Sequence, residues 1–210
     1  MSDDKDINSS QRSKNEKHRR AMQKQKENVD AHIESANIER GVSVLLTGNG
    51  KGKSSSAFGM VIRALGYSQK IGVVQFIKGQ QLSGEEIYIR DNCPQIEFIQ
   101  MGTGFTWNTQ DREADIKAAE TTWSAASKML QDEQYDLVVL DELTYMLAYH
   151  YLDETMVIDA IQNRQAEQSV VVTGRGGGSR LREIVDTVSE VKEIKHAFKA
   201  GIKARKGVDY

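Results

Sequence analysis

The sequence is poor in the residues that crosslink small secreted proteins, and it lacks long apolar runs. Its 210 residues include a single cysteine, Cys93, and a single proline, Pro94. One cysteine excludes an intrachain disulfide and gives no indication of an oxidising compartment. No stretch approaches the roughly 18 apolar residues that a membrane-spanning helix needs, and residues 1–20 lack the apolar run of a secretory signal. We therefore predict a cytoplasmic protein with no membrane partner.

Net charge is nearly absent as well, although the charge is unevenly distributed. The chain contains 28 Lys and Arg and 30 Asp and Glu, which gives a formal net charge of −2. Nucleic acid is therefore not an expected partner. A basic run over residues 12–26 holds seven Lys or Arg and one Glu. It fits a solvated tail, a nucleic-acid-binding arm, or part of a helix over residues 20–38 that docks on a partner. We predict an N-terminal arm over residues 1–40 and one domain over residues 41–210.

From residue 41 onward, short β-rich runs alternate with helical patterns. Strands are predicted over residues 41–47, 70–77, 95–101, 135–142, 169–174 and 187–194. Helices are predicted over residues 54–65 and 111–131, from residue 143 through residue 163, and after the glycines of residues 174–178. Strands separated by helices form right-handed crossovers. The pattern therefore predicts an α/β domain, in which a mostly parallel sheet carries helices on both faces.

The stretch TGNGKGKSS follows the first predicted strand and opens a predicted helix. Its glycines allow backbone N–H groups to converge on phosphate oxygens, and the helix N-terminus adds partial positive charge. It resembles the phosphate-loop pattern G-x-x-x-x-G-K-[ST], shortened by one residue; the alternative is a glycine-rich turn without a ligand. The nucleotide-binding residues predicted here are Thr47, Gly48, Asn49, Gly50, Lys51, Gly52, Lys53, Ser54 and Ser55.

Two carboxylates end the fourth predicted strand, at the edge of the sheet where the glycine loop also lies. Asp141 and Glu142 follow four apolar residues, and with the Ser54 hydroxyl they form a candidate Mg²⁺ site. The alternative for Asp141 is that it caps the next helix. A second glycine-rich stretch, residues 173–178, is either another ligand loop or an ordinary connection. These features predict a nucleoside triphosphate with Mg²⁺ on the RecA-like P-loop NTPase fold, although this fold hosts many chemistries.

An aromatic loop, TGFTWNTQDREAD, follows the third predicted strand and places Phe105 and Trp107 between glycines and polar residues. From residues alone, the loop either faces the site or fills a small satellite core. Together with TGNGKGKS, GVVQFIKG, VVLDELTYMLAY, TGRG and the GVDY ending, it resembles the P-loop corrinoid adenosyltransferases, which act on ATP and cob(I)alamin. The resemblance runs in order from residue 39 to residue 210.

The resemblance implies transfer of the 5′-deoxyadenosyl group of ATP to the cobalt(I) of a reduced corrinoid, with release of triphosphate, in adenosylcobalamin synthesis or salvage. It implies that Phe105 and Trp107 displace the lower axial ligand of cobalt(II), so that reduction becomes accessible. We predict that Lys53 and Glu142, from the glycine loop and the carboxylate pair, are the other catalytic residues. It also implies Mg²⁺, which Mn²⁺ could replace, and either cob(I)alamin or a corrinoid precursor as acceptor. A reduced flavoprotein donor, a homodimer, and an N-terminal helix that closes over the active site complete these expectations.

Two other classes of function remain open at the level of residues. One is a RecA-like ATPase acting on nucleic acid, in which Glu142 orients a hydrolytic water and the basic arm contacts a strand. The other is a nucleotide-gated binding module without chemistry. Cys93 and the scattered histidines His18, His32, His150 and His196 suggest no catalytic triad, in keeping with a reaction in which cobalt is the attacking atom.

Overall fold

The computed structural model describes residues 3–77, 82–102 and 111–210. The chain divides into two units, residues 1–39 and residues 40–210. The first unit is a single long helix, α1 (Asp3–Ser35), which begins well before the predicted residue 20. Its apolar side chains Met22, Val29 and Ile33 are exposed. No helix among the described residues is long and apolar enough to cross a membrane.

The second unit is built on a parallel sheet of six strands in the order β3-β2-β4-β5-β1-β6. The strands are β1 (Ser43–Thr47), β2 (Ile71–Gln75), β3 (Glu97–Gln100), β4 (Leu137–Asp141), β5 (Ser169–Thr173) and β6 (Thr187–Glu190). Central strands β2, β4 and β5 are almost wholly buried, whereas the edge strands β3 and β6 are more exposed. Every predicted strand is confirmed, with bounds shifted by a few residues.

Each pair of successive strands in this unit is connected through at least one helix, as parallel strands require. The helices are α2 (Lys53–Gly66), α3 (Gly84–Asn92), α4 (Arg112–Gln131), α5 (Leu143–Ala148), α6 (Glu154–Gln162) and α7 (Leu181–Ile184), followed by a 3₁₀ turn, Ala197–Ala200. The helical stretch predicted after residue 142 is two helices, separated by a turn in which His150 has a φ of 53°. Helix α3 was not predicted from the pattern.

The core consists of two apolar layers, one on each face of the sheet. Alternate residues of β4 divide between them: Val138 and Leu140 face α4 to α7, while Leu137 and Val139 face α2 and α3. This period of two is what a strand buried on both faces requires. The prediction of helices on both faces is therefore confirmed.

The strand order determines which loops meet at the functional edge. Strands β4, β5 and β1 are neighbours, and all run in the same direction. The segments that follow them are the carboxylates Asp141 and Glu142, the glycine loop of residues 174–178 and the glycine loop of residues 48–52. Because ligands bind beyond the carboxyl ends of parallel strands, these three segments outline the candidate site.

Candidate functional site

A cavity of about 650 Å³ lies at the carboxyl edge of the sheet. The first glycine loop and the start of α2 line one side, and α3 and the ends of β2 and β4 line another. The segment after the 3₁₀ turn forms part of the wall. The lining residues are Gly50–Ser55, Phe58, Gln75, Ile77, Ser83–Glu85, Asp141, Glu142, Tyr145, Arg175 and Gly207–Tyr210.

The first glycine loop is held against the chain that continues from β6. The Val191 N–H donates to the Thr47 carbonyl at 2.8 Å, and the Gly50 N–H donates to the Val191 carbonyl at 2.7 Å. A Cβ on Gly48 would lie 2.5 Å from the Val191 carbonyl oxygen, and the φ of Gly48 is +98°. Only glycine tolerates both the close approach and this φ, so the packing explains the glycine at position 48.

Lys53 is the first residue of α2, and its side chain lies inside the cavity wall. It is only 5% exposed, and its ammonium donates to the Gly50 carbonyl at 2.9 Å. Burial, and then the nearby Arg175, lower its pKa. A buried cation at the N-terminus of a 14-residue helix makes a strong anion site, because the ammonium and the helix dipole add.

The Asp141 carboxylate is oriented by its neighbours in the sheet. The Thr173 hydroxyl donates to one oxygen at 2.7 Å, and the Gln75 amide donates to the other at 2.9 Å. The N-cap residue that precedes α5 is Glu142, so Asp141 does not cap that helix with its side chain. With both oxygens already bonded, Asp141 suits a metal contact through water better than a direct one.

Glu142 differs from Asp141 in both backbone and side chain. Its φ is +60°, which is costly for a residue with a Cβ, and its N–H donates to Thr173 at 2.9 Å. Its Oε2 atom is buried without a hydrogen-bond partner. Burial, and then the charge of Asp141, raise the pKa of Glu142 to about 7. A strained residue carrying an unsatisfied buried oxygen calls for a ligand that satisfies it.

A magnesium ion fits this donor set. No group of three His, Cys, Asp or Glu side chains is close enough to hold a metal within the residues that the structure describes. Mg²⁺, however, is commonly bound through one or two carboxylates together with phosphate oxygens. The unpartnered oxygen of Glu142, with the hydroxyl of cavity-lining Ser54, therefore suits Mg²⁺ that arrives with a nucleotide.

A chain of side-chain hydrogen bonds joins Asp141 to the end of β3. Gln100 donates from its amide nitrogen to Gln75 at 2.7 Å and to Glu86 at 3.1 Å, and Gln75 in turn donates to Asp141. In the sequence, the aromatic loop follows β3. Phe105 and Trp107 themselves lie outside the described residues, so their predicted placement stays a prediction.

The structure brings together most, but not all, of the predicted nucleotide-binding residues. Gly50 to Ser55 line the cavity with Asp141 and Glu142, whereas Thr47, Gly48 and Asn49 do not line it. The side chain of Thr47 is buried. The sequence left open whether the second glycine loop, residues 173–178, is a ligand loop or an ordinary connection. Arg175 of this loop lines the cavity.

Sequence reasoning missed several residues that line the cavity, including Gln75, Tyr145 and Asp209. It also missed α3, whose Ser83 side chain accepts from the Glu86 N–H at 3.1 Å. The S-x-x-E spacing of a capping box was the signal available for that helix. For Gln75 and Asp209 no local signal exists, because their position depends on strand pairing and on distant chain segments.

Comparison with known proteins agrees with the resemblance seen in the motifs. A family model described as ATP:corrinoid adenosyltransferase BtuR/CobO/CobP matches residues 39–210. A corrinoid adenosyltransferase from Pseudomonas aeruginosa is 52% identical over 197 residues, which cover 94% of this chain and 97% of that protein. One from Escherichia coli K12 is 48% identical over 195 residues, which cover 93% and 98% of the two chains.

Among solved structures, the fold resembles that of the flagellar accessory protein FlaH from Methanocaldococcus jannaschii. The TM-score is 0.52 at 13% sequence identity, over 78% of this chain and 76% of that chain. A likeness at this identity concerns the fold alone, because one fold hosts many functions. It supports the α/β architecture with a parallel sheet.

Proposed function

This chain belongs to the ATP:corrinoid adenosyltransferase family, and we propose that it transfers the 5′-deoxyadenosyl group of ATP to a reduced corrinoid. Cobalt(I) attacks the ribose C5′, the C5′–O bond breaks, and triphosphate leaves with the electron pair. The observation that carries the proposal is the convergence of the shortened glycine loop, buried Lys53 and the unpartnered Glu142 oxygen on one cavity. The attacking atom belongs to the substrate, so no protein nucleophile is needed.

The first glycine loop serves this reaction by gripping the triphosphate. Backbone N–H groups of the loop, the N-terminus of α2, and the ammonium groups of Lys51 and Lys53 provide positive charge around the cavity. Negative charge grows on the triphosphate as the C5′–O bond breaks. Positive charge that is already in place in a partly dry site stabilises this negative charge, and the protein does not have to reorganise during the reaction.

We propose that Mg²⁺ binds between the triphosphate and the residues Ser54, Glu142 and Asp141. Glu142 would offer its unpartnered oxygen directly, and Asp141, bonded to Thr173 and Gln75, would act through water. A bound divalent cation supplies charge neutralisation on the leaving phosphate oxygens. A pKa of about 7 for Glu142 is expected to fall when a cation satisfies the carboxylate.

We propose that the corrinoid binds beside the carboxyl end of β3, against the loop that holds Phe105 and Trp107. Strand β3 ends at Gln100, whose amide belongs to the hydrogen-bond chain to Asp141. Apolar aromatic side chains are suited to displace an axial ligand and exclude water from cobalt, which tunes the metal for reduction. A reduced flavoprotein donor, a homodimer and a lid role for residues 1–40 follow from the resemblance and are proposed on that basis.

The decisive test is anaerobic incubation with ATP, Mg²⁺ and chemically reduced cobalamin, followed by visible spectroscopy and analysis of the phosphate products. If the proposal is right, the spectrum will show a light-sensitive alkylcobalt product, and intact triphosphate will be released in an amount equal to that product. Release of ADP and phosphate would instead indicate an ATPase. Binding of ATP without turnover would indicate a binding module.

The aromatic pair gives a first prediction about mechanism. Replacing Phe105 or Trp107 by Ala is expected to lower the rate from cobalt(II) at least about 10-fold, because an axial ligand that is kept hinders reduction. The rate from chemically reduced cobalt(I) and the ATP affinity are expected to change much less. Parallel assays from the two oxidation states measure this difference. Loss of ATP affinity with normal cobalt(II) reduction would contradict the assigned role.

A further inference from the structure

The last residues of the chain, 205–210, fold into a closed turn. The Asp209 N–H donates to the Arg205 carbonyl at 2.8 Å, and the Gly207 N–H donates to the Tyr210 carbonyl at 2.8 Å. The Asp209 side chain also accepts from the Arg205 N–H at 2.9 Å. These three hydrogen bonds within six residues give the segment a defined conformation, and we call it the 205–210 turn.

This turn forms part of the wall of the nucleotide cavity. Gly207, Val208, Asp209 and Tyr210 all line the cavity, together with residues of the first glycine loop. Tyr210 is only partly exposed. The turn therefore brings an apolar, an acidic and an aromatic side chain to a site that the glycine loop alone would leave open.

One ion pair joins the turn to the glycine loop. Lys51 donates from its ammonium to Asp209 at 2.8 Å, with the two side chains 42% and 23% exposed. The Lys51 ammonium, and then the Arg205 N–H, lower the pKa of Asp209. Among the ion pairs of the described residues, this is the one whose two partners both line the cavity.

We propose that Asp209 is a positioning residue of the nucleotide site, which holds the Lys51 ammonium where it can bind the triphosphate. The inference rests on the proposed function, because it names a further residue of the same site. A lysine ammonium has three N–H donors, so the bond to Asp209 leaves two for phosphate oxygens. Lysine loses considerable rotamer freedom when it is fixed. Asp209 fixes it before ATP arrives, which favours binding.

The experiment compares Asp209→Ala, Lys51→Ala and the double variant, with KM and kcat measured for ATP against chemically reduced cobalamin. The proposal expects Asp209→Ala to raise KM about 3- to 10-fold with kcat within about twofold of wild type. Because Asp209 acts through Lys51, the double variant should match Lys51→Ala within about twofold. Asp209→Glu, which keeps the charge, should recover part of the affinity.

A matched control comes from the same part of the chain. Glu193 forms an ion pair with Lys199, but neither residue lines the cavity, so Glu193→Ala should leave KM unchanged. A KM for Asp209→Ala that is unchanged or lower than wild type would overturn the proposal, since the carboxylate would then be irrelevant or would compete with phosphate. Multiplying effects in the double variant would overturn it as well.

Calorimetric titration of the same variants with ATP and Mg²⁺ keeps this inference separate from the proposed function. If wild type binds ATP but forms no alkylcobalt product, the proposed function fails. The affinities of the variants still decide the role of Asp209. If wild type forms product and Asp209→Ala binds ATP as wild type does, the inference alone fails.

Discussion

The two glycine-rich loops at the carboxyl edge of the sheet look alike in sequence but differ in what they build. The first follows β1, the second follows β5, and these strands are neighbours. In each loop, a Cβ added to one glycine would collide with the backbone of a neighbouring segment. A Cβ on Gly50 would collide with the backbone of Lys192, and a Cβ on Gly177 would lie 2.4 Å from the Thr144 carbonyl oxygen. Glycine content therefore reports close packing in both cases and does not by itself identify a ligand loop.

What separates the loops is the segment that follows the glycines. The first loop leads into the 14-residue α2, and together the loop and the first turn of the helix supply six consecutive cavity-lining residues, Gly50–Ser55. The second leads into the four-residue α7 and supplies Arg175 alone. A long helix presents several free N–H groups and a dipole to an anion, which a single turn of helix cannot. The comparison therefore favours the first loop as the proposed phosphate-binding loop.

The largest expected effect concerns Lys53, the buried cation that directly follows the first loop. Lys53→Ala removes an ammonium that is almost wholly buried at the start of α2, so kcat/KM for ATP is expected to fall at least about 100-fold. Initial rates with reduced cobalamin measure the loss. Arg63→Ala is the matched control, because Arg63 is a cation in the last turn of the same helix. A loss below about threefold for Lys53→Ala would remove the distinction between the loops.

The next prediction separates packing from binding by substituting one glycine in each loop. Gly177→Ala forces a Cβ to 2.4 Å from the Thr144 carbonyl oxygen at a φ of +59°, so we expect a loss of about 3 kcal/mol in the free energy of unfolding. Gly52→Ala meets no atom within 4 Å but keeps a φ of +113°. It is expected to cost about 1 kcal/mol and to weaken ATP binding.

Urea unfolding and ATP titration of both variants measure the two effects separately. The comparison requires that Gly177→Ala lower stability more and that Gly52→Ala lower ATP affinity more, because Gly52 lines the cavity and Gly177 does not. The reverse order of ATP affinities would make the second loop the ligand loop.

Much of this arrangement was predictable from local patterns. The apolar run Leu137–Leu140 predicts a buried strand, and the same rule places β1, β2 and β5. A glycine loop between a strand and a helix predicts an anion site whatever the remaining topology. These features are local because a strand or a loop is specified by adjacent residues.

The division of roles between Asp141 and Glu142 was not predictable. As neighbours in sequence they look like equal metal ligands, yet Thr173 and Gln75 occupy both oxygens of Asp141, while one oxygen of Glu142 has no partner. The difference arises from the pairing of β4 with β5 and β2. The contact between Lys51 and Asp209 could not be predicted either, because the two residues are far apart in the sequence and no local pattern connects them.

Arg175 gives a prediction of intermediate size, which tests what the second loop contributes. Arg175→Ala is expected to raise KM for ATP about 10-fold with no loss of stability, because the side chain lines the cavity. Removing this neighbouring charge should also raise the pKa of Lys53, which Arg175 lowers. Steady-state kinetics measure the first effect. Arg180→Ala is the control, since Arg180 bonds Thr155 instead; equal effects of the two variants would leave the second loop without a ligand role.

The smallest expected effect tests whether the first loop depends on β6, whose continuation at Val191 supports it. Asp186, just before β6, is bonded to Arg40 and to the N–H and hydroxyl of Ser43, and these contacts hold its pKa well below the usual range.

Because the pKa of Asp186 is lower in the folded state, its contribution is present above about pH 4 and is lost as the pH falls through the folded value. Asp186→Asn should therefore lower the free energy of unfolding by about 1–2 kcal/mol at pH 7 and by less at pH 3. The control is Asp91→Asn, because Asp91 is an exposed residue of α3. Urea unfolding at both pH values measures this. ATP affinity should fall less than about threefold, because the Val191 bonds to the loop remain. A larger fall would show that the first loop, unlike the second, depends on the far end of a neighbouring strand.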